Sequence, residues 1–314
     1  MNGRQDVLLG PTMIGDAFRS RLRRACAATV PLLLSGCVGT GVLNPHGPIA
    51  GQNRTILFNS LAIMLAIVVP TILATLVFAW WYRAGNDKAT YRPEFTFSGR
   101  IELLVWSIPI LTILFLGGVI WVGSHQLDPA RPIESNQKAL EVEVVSTDWK
   151  WLFIYPEQGI ATVNRLVVPV GRPVHFRLTS SSVMNVFFVP QLVSQIYTMN
   201  GMATQLNMRA DTPGRYYSTS AHYSGDGFSD MNFATDAVPA AQFEGWVAQA
   251  RARGRLLDRP AYEKFAQQSQ KVPPGFWGQV QPGLFDAVVR QEIKPAAGPQ
   301  EGRGGPRVSP GDES

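Results

Sequence analysis

The chain has 314 residues, 46% of them hydrophobic and 16% charged, which is too apolar for disorder and too polar for a chain lying wholly in a membrane. Its formal charge of +5 does not point to nucleic acid: residues 1–36 carry five arginines against two aspartates, +2 remains without them, and no basic face follows. From Val38 onward there is no cysteine, which excludes a disulfide framework and a thiolate metal site there.

Residues 1–36 read as a bacterial lipoprotein signal peptide. Arg19, Arg21, Arg23 and Arg24 form a positive region, and Ala25 to Leu34 is an apolar stretch too short to span a bilayer. The segment ends Leu34-Ser35-Gly36-Cys37, small residues before a cysteine, as in the lipobox. Cys37 is therefore the expected lipidation site and new N-terminus. Each buried methylene of its acyl chains contributes roughly 0.8 kcal/mol to the tether. Residues 37–57 read as an outer segment.

A membrane hairpin is expected over residues 58–122. Leu61 to Trp81 has no charge, and Ile101 to Val122 has only Glu102, at its edge. Each run is long enough for a hydrocarbon core of about 30 Å. Trp80, Trp81, Tyr82, Trp106 and Trp121 lie at or near the ends, as interfacial aromatics do. The loop 82–100 holds Arg83, Lys88, Arg92 and Arg100 against Asp87 and Glu94, so the positive-inside rule places it in the cytoplasm. The lipobox gives the same direction. Everything after Val122 is then expected on the periplasmic side of a bacterial cell membrane.

Residues 138–239 read as a β-sandwich of Greek-key type. Leu140 to Val145 alternates, Trp149 to Tyr155 is aromatic-rich, and strand-like runs follow at Arg165–Val170, Val174–Leu178, Val186–Val189, Thr204–Met208 and Arg215–Ser220. Turn signals at Gly171-Arg-Pro173 and Thr212-Pro-Gly214 separate them. Residues 240–293 read as a helical extension, with helices over 240–253, 260–270 and 282–293. Residues 294–314, rich in Gly, Pro and charge, read as a disordered tail.

The whole arrangement resembles subunit II of the haem-copper terminal oxidases. The most specific matches are Asp148-Trp-Lys-Trp-Leu-Phe-Ile-Tyr-Pro156, the segment Val183 to Pro190, and Tyr223-Ser-Gly-Asp-Gly-Phe-Ser-Asp-Met231. The resemblance implies a membrane α + β fold: a two-helix transmembrane hairpin, a cupredoxin-like sandwich, and a short helical extension. In cytochrome c oxidases that domain holds a binuclear copper centre of two bridging thiolates, two imidazoles, a thioether and a backbone carbonyl. Laid on that pattern, Asn185 stands at the first histidine, Ser220 and Ser224 at the cysteines, Phe228 at the second histidine and His222 at the carbonyl donor. Met231 alone retains a ligand type. The chain is thus expected to bind no metal and no cofactor, as in the quinol oxidases of the cytochrome bo type.

The resemblance further implies a non-catalytic subunit, with no catalytic residue of its own, in a complex that oxidises ubiquinol, reduces oxygen and translocates protons. Haems and one copper are expected in subunit I, with subunits III and IV and membrane lipid as further partners. Glu102, just before Trp106, matches a family glutamate at the mouth of a proton channel. The bland reading of Glu102 is an interfacial residue stabilised by the helix N-terminus. Trp149 and Trp151 are expected to pack. His46, His125, His175 and His222 show no metal-ligand spacing. Two rival readings remain: a degenerate cytochrome c oxidase subunit II, and a non-respiratory lipoprotein that uses the sandwich as a binding or assembly module.

Overall fold

The computed structural model describes residues 41–90 and 92–296. The leader, Cys37 and the chain beyond residue 296 lie outside the described residues.

Helix α1 (Pro48–Trp81) and helix α2 (Gly99–Gln126) are both longer than the apolar runs that announce them. The expected outer segment 37–57 is therefore helical from Pro48. Apolar composition marks what the bilayer covers, not where a helix starts. Extended Gly47 caps the helix, and Pro48 occupies the first turn, where a missing N–H loses no bond. Thirty-four residues span about 51 Å, well beyond a core of about 30 Å, so the first turns of α1 rise out of it. These turns seat the sandwich. His46 N–H donates to the Gln191 carbonyl at 2.7 Å, Asp211 N–H to the His46 carbonyl at 2.8 Å, and Asn53 Nδ2 to Ser194 Oγ at 2.8 Å. Gly47 is needed here, because a Cβ would collide with the carbonyls of Arg209 and Leu192.

The outer domain begins with β1 (Leu140–Thr147), β2 (Lys150–Tyr155), β3 (Ile160–Val163), β4 (Arg165–Pro169) and β5 (Val174–Ser180). It continues with β6 (Asn185–Phe188), β7 (Ile196–Thr198), β8 (Thr204–Met208), β9 (Gly214–Ser220) and β10 (Asn232–Val238). Two sheets form, in the orders β3-β2-β1-β5-β8 and β4-β10-β9-β6-β7. Both are mixed, since β1 pairs with β5 and β4 with β10 in parallel. Trp151, Phe153, Phe176, Phe187 and Phe233 fill the space between the sheets. Each contributes roughly 1.5–3 kcal/mol by leaving water.

The extension has a helix in each of the three expected stretches, the second and third shorter than expected, and adds short strands between them. Helices α3 (Ala240–Arg253), α4 (Arg259–Ala266) and α5 (Leu284–Val289) alternate with β11 (Leu256–Leu257), β12 (Gly275–Trp277) and β13 (Gln279–Val280). β12 joins the first sheet beside β3, and β11 pairs with β13. Leu257, Tyr262, Leu284, Phe285 and Val288 form a second core on Val145, Leu152 and Ile154. The first sheet is thus covered on both faces. This explains why every residue of β2 is buried and its sequence does not alternate. Of the expected tail, only residues 294–296 are described, and there Ala296 N–H donates to the Ser181 carbonyl at 2.8 Å.

Candidate functional site

The site lies where β6, β9, the loop 221–231 and the β1–β2 turn converge. Asn185 opens β6 and is fully buried; Ser220 closes β9, with Ser224 and Met231 buried in the loop that follows. Ser220 Oγ donates to Asn185 Oδ1 at 3.2 Å and lies 3.3 Å from the His222 carbonyl. Ser220 N–H donates to the Met231 carbonyl at 3.0 Å, and Ser224 Oγ lies 3.9 Å from Met231 Sδ. Phe228 sits in a single 3-10 turn (Phe228–Asp230), its ring packed edge-on against Tyr223 at 5.6 Å. Of the positions aligned with copper ligands, Asn185, Ser220, the His222 carbonyl, Ser224 and Met231 therefore meet in one hydrogen-bonded cluster. Phe228 turns to a neighbouring ring.

A tight hairpin holds the loop from the other side. Thr147 pairs with Lys150, so Asp148 and Trp149 alone make the turn. Trp149, expected within a strand, instead adopts φ +70°, a left-handed backbone that a bulky side chain rarely takes. The strain lays its buried indole on the loop: Nε1 donates to the Ser224 carbonyl at 2.9 Å. Gly227 faces the ring so closely that a Cβ would overlap it. Trp151 packs as expected, with its ring 5.7 Å from Phe187 and 5.5 Å from Phe233.

Lys150 is a feature the sequence did not single out. It is 1% exposed, and its Nζ reaches the Gln267 carbonyl at 2.6 Å, Ser269 Oγ at 2.5 Å and the Phe265 ring at 4.8 Å. Burial lowers its pKa to about 8, partly opposed by the charge of Asp148. The ammonium thus fastens the extension to the hairpin that carries Trp149. A lysine before a tryptophan gives no sign of a partner more than a hundred residues away.

Glu102 stands in the first turn of α2, where Trp106 Nε1 donates to its Oε2 at 3.1 Å. It is exposed on the surface of this chain. The histidines are dispersed. His46 bonds Thr212, His125 bonds the Trp121 carbonyl, His175 bonds Asn207, and His222 faces Tyr197. Among the described residues, no group of three or more His, Cys, Asp or Glu is placed to hold a metal ion.

A pair of bilayer-length helices carrying a cupredoxin-like domain defines the class, a membrane subunit of the oxidase subunit II type. The family model for the periplasmic domain of cytochrome c oxidase subunit II matches residues 157–238, and that for the COX aromatic rich motif matches residues 251–295. The ubiquinol oxidase subunit 2 of Acetobacter aceti is 47% identical over 272 residues, covering 86% of this chain and 88% of that protein. The cytochrome bo(3) ubiquinol oxidase subunit 2 of Pseudomonas aeruginosa is 46% identical, covering 82% of this chain and 78% of that protein. That of Pseudomonas putida is 45% identical, covering 82% of each. The chain belongs to the ubiquinol oxidase subunit 2 family, within the subunit II proteins of the haem-copper oxidases.

The residues at the aligned ligand positions do not fit a binuclear copper centre. An amide, two neutral hydroxyls and a phenyl ring replace the imidazoles and thiolates, and no thiolate is available to bridge two metals. Their hydrogen-bonding groups are also turned onto one another.

Proposed function

We propose that this chain is the copper-free subunit II of a membrane ubiquinol oxidase that couples quinol oxidation and oxygen reduction to proton translocation. The observation that carries the reading is the buried Asn185–Ser220 pair with the His222 carbonyl beside it, which closes the ligand loop with hydrogen bonds. A subunit without a metal relay suits a donor dissolved in the membrane rather than a soluble cytochrome.

The redox chemistry belongs to subunit I, with its haems and one copper; subunits III and IV complete the complex. This chain scaffolds subunit I. Its domain sits on the periplasmic face, and acyl chains on Cys37 add to the anchor. Glu102 acts at the mouth of a proton channel, its carboxylate oriented by Trp106. An ionisable group beside a bilayer core is costly unless paired or used, which favours this role over a bystander's.

The test is oxygen consumption by the purified complex. Turnover with ubiquinol and none with reduced cytochrome c is expected. Turnover with cytochrome c would support a cytochrome c oxidase subunit instead. Purification of the chain without any haem-bearing partner would support a non-respiratory lipoprotein.

A further inference from the structure

Where the helix pair leads to the outer domain, two cavities lie side by side. A groove of about 590 Å³ opens between α1 and α2, walled by Ile56, Leu114, Phe115, Val119 and Val122. Above it, a cleft of about 440 Å³ is bounded by Pro48, Asp128, Arg131 and Glu134. Gln52 and Gln126 line both, so the apolar groove adjoins the charged cleft. Gln52, Asn59 and Gln126 are exposed on this chain, and among the described residues their side-chain amides bond no other residue. Asn59 lines the groove beside the apolar run, where an unpaired amide is costly.

We infer that this paired cavity binds one ethanolamine phospholipid of the leaflet nearest the β-domain. An acyl chain lies along the groove, and its ester carbonyls accept from the amides of Gln52 and Gln126. The headgroup occupies the cleft, with its phosphate at Arg131 and its ammonium at Asp128 and Glu134. The charges select the occupant. One guanidinium and two carboxylates match a phosphate joined to an ammonium. An anionic headgroup brings no cation for the carboxylates, and a quaternary choline has no N–H to donate to them. An uncharged quinol ring leaves the charges of the cleft unmatched.

Gly118 supplies the variant. A Cβ at Gly118 meets nothing within 4 Å, so the side chain of Gly118→Leu starts into the open space of the groove. The purified oxidase complex, stripped of lipid in detergent, is titrated with phosphatidylethanolamine and with phosphatidylglycerol and followed by native mass spectrometry. Haem content monitors assembly. The wild-type complex is expected to bind one phosphatidylethanolamine that Gly118→Leu weakens about tenfold or more, equivalent to roughly 1.4 kcal/mol. Arg131→Gln, which leaves the groove unchanged, is expected to weaken it several-fold and supplies the test if Gly118→Leu does not assemble. Equal binding of phosphatidylglycerol overturns the proposal, as does undiminished phosphatidylethanolamine binding in the assembled variants. It also fails if the molecule displaced by Gly118→Leu is a quinone, or if a cysteine at position 118 cross-links fully to another subunit.

Discussion

Ser220 Oγ donates to Asn185 Oδ1 at 3.2 Å, joining the end of β9 to the start of β6. Both side chains are buried: removing Ser220 leaves Asn185 Oδ1 without its donor, and removing Asn185 leaves Ser220 Oγ only the His222 carbonyl to donate to. Asn185→Leu is expected to lower the stability of the outer domain by about 1–3 kcal/mol. Replacing both partners is milder than stranding one. Asn185→Leu with Ser220→Ala should therefore recover part of the loss, a non-additivity read from thermal unfolding of the purified chain.

The loop depends on Trp149 as well as on that pair. Gly227→Ala pushes a methyl group into the indole, and the left-handed turn at Trp149 leaves the ring little room to yield. A loss of about 1–3 kcal/mol is expected, as for overpacking in a core. Limited proteolysis should show earlier cleavage within 221–231, and the tryptophan emission should shift to the red.

Glu143 gives the outer domain a specific pH dependence. Burial raises its pKa to about 7, and the charge of Asp286 adds to this. Arg177, 2.9 Å away, pulls the other way, but it is shared with Asp286 at 2.7 Å and does not prevail. The unfolded carboxyl releases its proton near the ordinary value of 4.5. Between these two values the folded state binds more protons than the unfolded, so stability falls as pH rises towards 7. Glu143→Gln is expected to flatten that fall, by about 1–3 kcal/mol over the interval. Denaturant titrations of both proteins between pH 4.5 and 7.5 check it.

Glu102→Ala tests the proton channel. A positioned proton carrier contributes on the order of 100-fold, and water substitutes in part at an interfacial site, so turnover should fall roughly tenfold. Haem content and subunit composition should be unchanged. Trp106→Phe, which removes the donor to Glu102, should produce a smaller loss of the same kind. Unchanged oxygen consumption in Glu102→Ala would leave that residue as an interfacial helix-terminus carboxylate.

Legibility in the sequence followed the range of the interactions. β1, β5 and β9 were readable from alternation and β-branched residues because, along part of each, buried positions alternate with half-buried or exposed ones. β3 and β10 were not. Ile160–Val163 is only four residues long, and β10 carries Asp236, whose partners Arg165 and Arg215 are remote in sequence. β12 was hidden for the same reason: Phe276 and Trp277 form a strand only because β3 offers an edge. At the site, the aligned positions emerged through the family pattern, not through spacing. That Asn185 and Ser220 bond each other, that Trp149 turns left-handed, and that Lys150 is buried all depend on contacts a linear pattern does not encode.

The copper content of the purified complex bears most directly on the central claim. One copper per subunit II, all of it in subunit I, is the expected result, with none retained by this chain after the subunits are separated. Three coppers per complex, two of them staying with this chain, would contradict it, because Asn185, Ser220 and Ser224 would then be holding a metal pair that their chemistry does not support.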